Sequence, residues 1–124
     1  MALDAENPLA GLVRLREPDL TPERVLVMEQ EWWLIYGGGL GQLGQLAQGA
    51  LTVLDVEGPY RAGMRLMRAL AALGTSSPAN HALAVIPEIK TAIEETLLAE
   101  PPDPEAVRAL FMALMKLGHI RPPE

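Results

Sequence analysis

Apolar residues recur every three or four positions in several segments of this chain, and that spacing places them on one face of a helix. In the clearest segment, 59–73, leucines form one stripe along the predicted helix and arginines form another. The same spacing predicts helices over five other segments: 8–15, 22–36, 78–85, 88–99 and 104–117. We therefore expect an all-α fold, a compact array of five to six short helices packed as antiparallel hairpins. Residues 1–20 would form an N-terminal extension with a short helix, and residues 21–124 a single helical domain.

Prolines and glycines mark where these helices begin and end. Three steps join a side chain that can cap a first turn to a proline suited to the first helical position: Thr21-Pro22, Ser77-Pro78 and Asp103-Pro104. Glycine readily adopts the left-handed conformation that ends a helix, and three glycines stand at predicted ends: Gly37, Gly74 and Gly118. The first of these begins a triple glycine, so we expect the helix that starts at Pro22 to end there.

The segment that follows is open to two interpretations. The chain carries no charge from Trp32 to Leu54, and this stretch contains six glycines and three glutamines. One interpretation is a glycine hinge followed by a second helix, whose glycine face allows close packing. Its length would also suit a membrane span, but the glycines and glutamines lower its hydrophobicity, so we expect no span.

The other interpretation is a small nucleotide-binding α/β module of Rossmann type. The pattern G-x-G-x-x-G lies between two possible strands, WWLIY and LTVLDV. The run YGGGLGQLGQLAQGAL also resembles the glycine-rich phosphate loop of the lysine-decarboxylase-like phosphoribohydrolases. In this alternative the loop 37–44 binds phosphates and an acidic residue binds the ribose; the residues concerned are Gly37, Gly39, Gly41, Gly44 and Asp55.

Composition narrows the functional classes. The net charge of −6 disfavours general nucleic-acid binding, which needs a basic surface. The absence of cysteine excludes disulfides, thiolate metal sites and cysteine nucleophiles, and it fits a cytoplasmic protein. The first seven residues carry two acidic side chains and no basic one, which is not typical of a signal peptide.

No pattern in the sequence indicates catalysis. The two histidines, His81 and His119, lack metal-ligand spacing, and no nucleophile has a base nearby in sequence. We therefore expect a non-catalytic protein without a metal or another cofactor.

Several residues are candidates for binding a protein partner or a second copy of the chain. Trp33 adjoins Trp32, and because neighbours on a helix point about 100° apart, one can be buried while the other reaches the surface. Arginines at helical spacing could bind an acidic partner, and methionines at helical spacing could form an adaptable groove. These further candidates are Arg61, Arg65, Arg68, Met112 and Met115.

The run PPDPEAVRALFMALMKLG, residues 101–118, opens a leucine-rich helix with Asp-Pro-Glu and ends it in Leu-Gly. It resembles the C-terminal segment of a small uncharacterised helical family found with bacterial formate dehydrogenases. Eight residues carry the likeness: Asp103, Pro104, Glu105, Arg108, Leu110, Leu114, Leu117 and Gly118. The resemblance implies an accessory subunit bound to a redox enzyme.

Overall fold

The computed structural model describes residues 21–119, and this part of the chain is helical throughout apart from its short connections. Five helices follow one another: α1 (Pro22–Glu57), α2 (Pro59–Leu73), α3 (Pro78–Val85), α4 (Pro87–Leu97) and α5 (Pro104–Gly118). Because no strand occurs between residues 21 and 119, the all-α prediction is confirmed and the α/β alternative is wrong. The helix predicted over 8–15 lies outside the described residues.

Side chains cap the helices that begin at the predicted proline steps. The backbone N–H of Arg24 donates to Thr21 Oγ1 at 3.2 Å in α1, and that of Asn80 donates to Ser77 Oγ at 3.2 Å in α3. Asp103 caps α5 in the same way. These bonds satisfy N–H groups that have no partner within a helix, which is why the helices begin at these residues.

The first helix does not end at the triple glycine, contrary to the sequence prediction. Its backbone leaves helical geometry at Tyr36 (φ −123°, ψ 16°) and then continues through the glycines to Glu57. The chain turns only at Gly58, where a φ of 96° suits glycine. Each glycine inside a helix costs roughly 1 kcal/mol relative to alanine, so the packing of α1 must offset that cost.

The apolar core lies around the second half of α1, since α2, α3 and α5 all pack against this helix and α5 does so most extensively. All five helices contribute buried side chains to one cluster. Its largest fully buried members include Leu40, Leu43, Leu66, Ile89 and Phe111. The glycine at position 58 joins α1 to α2 as a hairpin, as the sequence predicts.

Glycines in α1 allow two neighbouring helices to approach its backbone. A Cβ atom at Gly39 would lie 2.3 Å from the carbonyl oxygen of Pro78, at the start of α3. A Cβ atom at Gly44 would lie 3.1 Å both from the Cα of Gly118 and from the carbonyl oxygen of Leu114, in α5. The separation at Gly39 leaves no room for a side chain, and that at Gly44 leaves little. The glycines therefore allow close packing, as predicted, but these two point to different neighbours about 140° apart on the helix.

The fifth helix runs antiparallel to the second half of α1. Gly118, near the end of α5, lies against Gly44, whereas Arg108, one to two turns into α5, pairs with Asp55 near the end of α1. Gly118 itself is the last residue of α5 and has no positive φ, so the prediction that it forms a left-handed cap is wrong. The lack of a side chain at Gly118 instead allows the end of α5 to lie close to the backbone of α1.

The remaining helix boundaries follow the sequence closely. The predicted bounds of α2 and α3 are confirmed, while α4 and α5 differ from prediction by one or two residues at an end. Gly74 ends α2 with a φ of 81°. The amide Nδ2 of Asn80 donates to the carbonyl oxygens of Leu70 at 2.6 Å and Gly74 at 2.8 Å, which fixes the start of α3 to the end of α2.

Candidate functional site

The glycine-rich stretch that suggested a nucleotide site is a helix in the structure. Gly37, Gly39, Gly41 and Gly44 all lie inside α1, where backbone N–H groups donate to carbonyl groups of the same helix rather than to a ligand. Gly39 and Gly44 are buried against α3 and α5. The assignment of these glycines to a phosphate loop is therefore wrong.

Asp55, the residue assigned to a ribose in that alternative, has a different environment. It lies on the last turns of α1, about half exposed, and forms an ion pair with Arg108 of α5. No strand or phosphate loop adjoins Asp55 among residues 21–119, so its surroundings are not those of a Rossmann-type ribose site.

The three arginines of α2 lie on the side of that helix away from the core. Residues on the opposite side are buried: Ala62, Gly63, Leu66 and Leu70. Arg61, Arg65 and Arg68 follow one another at intervals of four and three residues, so they form one stripe along two turns. The sequence prediction that these cations share a helical face is consistent with their exposure.

This stripe borders an open groove between the end of α1 and α2. The groove has a volume of about 690 Å³. Its lining residues come from both helices: Val53 and Glu57 from α1, and Tyr60, Arg61, Met64, Arg65, Arg68 and Ala69 from α2. It therefore combines three arginines and one carboxylate, that of Glu57, with apolar and aromatic side chains, and we refer to it as the arginine groove.

None of the three arginines forms an ion pair with a carboxylate of residues 21–119. The ion pairs in that part of the chain join Arg24 to Glu31, Lys90 to Glu94 and Arg108 to Asp55. Helix α2 contains no acidic residue, although the whole chain carries a net charge of −6. The arginine groove is thus a concentrated positive region on an acidic protein.

Sequence reasoning found the arginines but missed the groove. Val53, Tyr60 and Met64 complete it. Val53 precedes the Gly58 turn, and the other two follow it. The Gly58-Pro59 step was a usable signal, because a tight turn between two helices brings their adjoining ends together. Because residues 40–54 were open to two interpretations, the sequence did not show that a helix leads directly into this turn.

Trp33 lies far from the arginine groove. It is partly buried, and its indole packs over Gly37 one turn further along α1. Trp32 is buried in the core at 9% exposure, so the two neighbouring tryptophans differ in burial. About 20 residues of α1 separate Trp33 from Val53, or roughly 30 Å along the helix.

The two methionines of α5 do not form a common surface. Met112 is 46% exposed, whereas Met115 is partly buried and packs against the core. Neither lines the arginine groove. The predicted methionine surface is therefore a single exposed side chain.

A second groove, which sequence reasoning missed, lies among α2, α3 and α4. Its volume is about 570 Å³, and its apolar lining includes Leu70, Leu83 and Ile93. Lys90 and Glu94, which lie 4.0 Å apart, stand on one side of it. No local pattern in the sequence could have revealed this groove, because it depends on how three separate helices pack.

The described residues also bear on metal binding and on membrane spans. No group of three His, Cys, Asp or Glu side chains there could hold a metal ion. His81 instead stacks at a tilt near Tyr36, with 5.7 Å between ring centroids. In the same residues we find no helix that combines the length and the apolar character needed to cross a membrane.

No family model, curated protein or solved structure matches this chain. The resemblance of residues 101–118 to a formate dehydrogenase-associated family therefore stays a prediction.

Proposed function

We propose that this protein is a non-catalytic interaction module that binds an acidic amphipathic helix of a partner protein in the arginine groove. The observation that carries the proposal is the row of three arginines without a carboxylate partner among residues 21–119, placed in a groove whose lining also includes Val53 and Met64. Arginine forms strong hydrogen-bonded pairs with carboxylates. A partner helix could supply both the carboxylates and the apolar side chains.

The dimensions of the groove support a helical ligand. Arg61 and Arg68 are seven residues apart, which corresponds to about 10 Å along α2. Carboxylates at positions i, i+4 and i+7 of a partner helix repeat over the same distance. Val53 and Met64 would contact the apolar residues between them, and methionine adapts its shape to varied partners.

The test uses a synthetic helical peptide with glutamates at i, i+4 and i+7 and leucines beside them. Its binding to the full chain is followed by fluorescence anisotropy at low and high salt. The variant Arg61→Glu/Arg65→Glu/Arg68→Glu should weaken binding at least tenfold. A matched control, Arg24→Glu/Lys90→Glu/Arg108→Glu, changes the net charge equally at exposed sites outside the groove and should retain most of the affinity.

Two results would contradict the proposal. The first is no binding of the acidic peptide by the unchanged protein, while a glutamine-substituted peptide behaves identically. The second is an equal loss of affinity in both triple variants, which would indicate a general charge effect. If the resemblance of residues 101–118 holds, a subunit of a redox enzyme is the partner in which to look for such a helix.

A further inference from the structure

The start of α1 buries side chains at and beyond the edge of the described core. Val25 is 1% exposed, yet among residues 21–119 it is the one buried apolar residue outside the core cluster. Glu29, one turn further along α1, is only 7% exposed although it is acidic. In this part of the chain the core cluster reaches no nearer to the start of α1 than Met28. Val25 and Glu29 are four residues apart and share one side of the helix, which we call the buried stripe.

The contacts that place α3 and α5 on α1 lie further along the chain. His81 of α3 lies beside Tyr36, and Gly118, the last residue of α5, lies against Leu40. Val25 precedes Tyr36 by about 16 Å along the helix. A side chain is buried to this extent only when other atoms enclose it, which points to a further segment over the buried stripe.

We infer that residues 1–20 fold back over the buried stripe, with the helix predicted over 8–15 antiparallel to the start of α1 and Arg16 paired with Glu29. This inference does not depend on the proposed function of the arginine groove. The N-terminal residues would then belong to the helical domain rather than extend from it.

Reach favours the N-terminal residues as the segment that covers the stripe. They join α1 directly, and their last residue is Leu20, close in sequence to Val25. At the other end of the chain, the six residues after Gly118 span about 20 Å even when fully extended. Val25 lies about 22 Å along α1 from Leu40, where α5 ends, so the C-terminal residues are too short to cover it.

The N-terminal segment matches the buried stripe in apolar character and in charge. Helical spacing places four of its side chains on one face: Leu9, Leu12, Val13 and Arg16. Three of them are apolar, and the last is a cation. The buried stripe has the complementary character, because Val25 is apolar and Glu29 is an anion.

An antiparallel hairpin brings the arginine and the glutamate together. A short connector over 17–20 would set the end of the N-terminal helix beside the first turn of α1, so that Val13 lies level with Val25. Side chains tilt toward the N-terminus of their own helix, and in an antiparallel pair Arg16 and Glu29 therefore point toward each other. Burying a charge is costly unless it is paired, so this contact would stabilise the hairpin.

The absence of cysteine from the chain allows the placement to be tested by cross-linking. In Val13→Cys/Val25→Cys the two thiols should face each other, and we expect an internal disulfide under mild oxidation of the dilute protein. A faster-moving band on a non-reducing gel reports it. Leu15→Cys/Val25→Cys is the matched control, because position 15 points about 200° away from position 13, and it should oxidise at least about tenfold more slowly.

Two arginines provide a matched test of the ion pair. Arg14 and Arg16 are two residues apart and so point about 200° from each other on a helix. Arg16→Gln removes the cation that faces a buried carboxylate and should lower the melting temperature by about 5 °C or more, whereas Arg14→Gln should change it by about 1 °C or less. Arg16→Gln/Glu29→Gln removes the charge on both sides and should recover most of the loss. Thermal unfolding of the full chain, followed by circular dichroism, measures all three.

Defined results would overturn the inference. Equal oxidation of the two cysteine pairs would show that residues 1–20 do not lie on the buried stripe. Equal melting temperatures of the two arginine variants, or no recovery in the double variant, would show that Arg16 does not pair with Glu29. Neither measurement involves the acidic peptide, so a failure here is distinguishable from a failure of the proposal for the arginine groove.

Discussion

The two halves of α1 belong to one helix but are packed to different extents against the rest of the protein. The first half buries three apolar side chains: Val25, Met28 and Trp32. Before Tyr36, large apolar side chains such as Leu34 and Ile35 remain more than 60% exposed. After Tyr36, Leu40, Leu43 and other apolar side chains are fully buried in the core, and Val56 near the end of the helix is the exception. Hydrophobicity alone does not explain this difference, since both halves are rich in apolar residues.

What distinguishes the second half is the placement of its glycines. At Gly39 and Gly44 the missing Cβ atoms let backbone atoms of α3 and α5 lie against α1. The neighbouring apolar side chains are then enclosed from several sides, and dense packing of this kind supplies much of the stability of a core. The first half has no glycine before position 37, and its outer side remains exposed.

The largest expected effect separates the two halves directly. Leu43→Ala removes a fully buried side chain and leaves a cavity, which should lower the free energy of unfolding by about 2–5 kcal/mol. Leu34→Ala should change it by about 0.5 kcal/mol or less, because the side chain is mostly in water. Urea denaturation followed by circular dichroism measures both.

Equal losses in these two variants would contradict the comparison. They would indicate that the first half of α1 is as well enclosed in solution as the second. A small loss at Leu43 alone would instead indicate that the core around Leu43 is loosely packed.

The next effect tests the close approach of α3. Gly39→Ala places a Cβ atom 2.3 Å from the carbonyl oxygen of Pro78. Because that oxygen belongs to the backbone, it can move away only if α3 shifts. We expect a loss of about 1–3 kcal/mol from overpacking, although alanine is the better helix former. Thermal unfolding of Gly39→Ala beside the unchanged chain checks this, and a stabilised variant would show that α3 is held further from α1.

A polar contact ties the same two helices together. Gln42 Oε1 accepts a hydrogen bond at 3.0 Å from the backbone N–H of Ala79, a fully buried residue in the first turn of α3. Gln42→Ala leaves that N–H without its partner, which should cost about 1–2 kcal/mol. The exposed Gln45→Ala is the matched control and should be nearly neutral; a similar loss in the control would contradict the role of the Gln42 bond.

The sequence predicts the local parts of this structure well. Proline steps with capping residues located the starts of α1, α3 and α5 because capping depends on residues within a turn. The triple glycine misled the prediction for α1, since its helical state depends on tertiary contacts at Gly39 and Gly44. In the same way, the arginine stripe was visible in the sequence, whereas the groove beside it required the packing of α1 on α2.

A smaller effect, of opposite sign, sharpens the role of the glycines. Gly49 also lies in the second half of α1. Apart from its chain neighbours and the nearby backbone of its own helix, a Cβ atom there would have no atom within 4 Å. Gly49→Ala should therefore stabilise the protein by about 0.5–1 kcal/mol, because alanine restricts the unfolded chain and favours the helix. A rise in melting temperature for Gly49→Ala with a fall for Gly39→Ala would separate the effect of packing from that of helix propensity. A fall in both variants would contradict the predicted stabilisation by Gly49→Ala.

The smallest expected effect concerns the ion pair between Asp55 and Arg108, which joins the end of α1 to α5. Both side chains are about half exposed, and water and salt screen such pairs, so Asp55→Asn should lower the free energy of unfolding by about 0.5 kcal/mol or less. That difference should shrink further when urea denaturation is repeated at about 1 M salt, where charges are screened over a few ångströms. A double-mutant cycle with Arg108→Gln isolates the pair from other effects of either change. A coupling well above 1 kcal/mol would mean that charge holds α5 on α1; a small one would leave that task to the glycine contacts and the buried leucines around them.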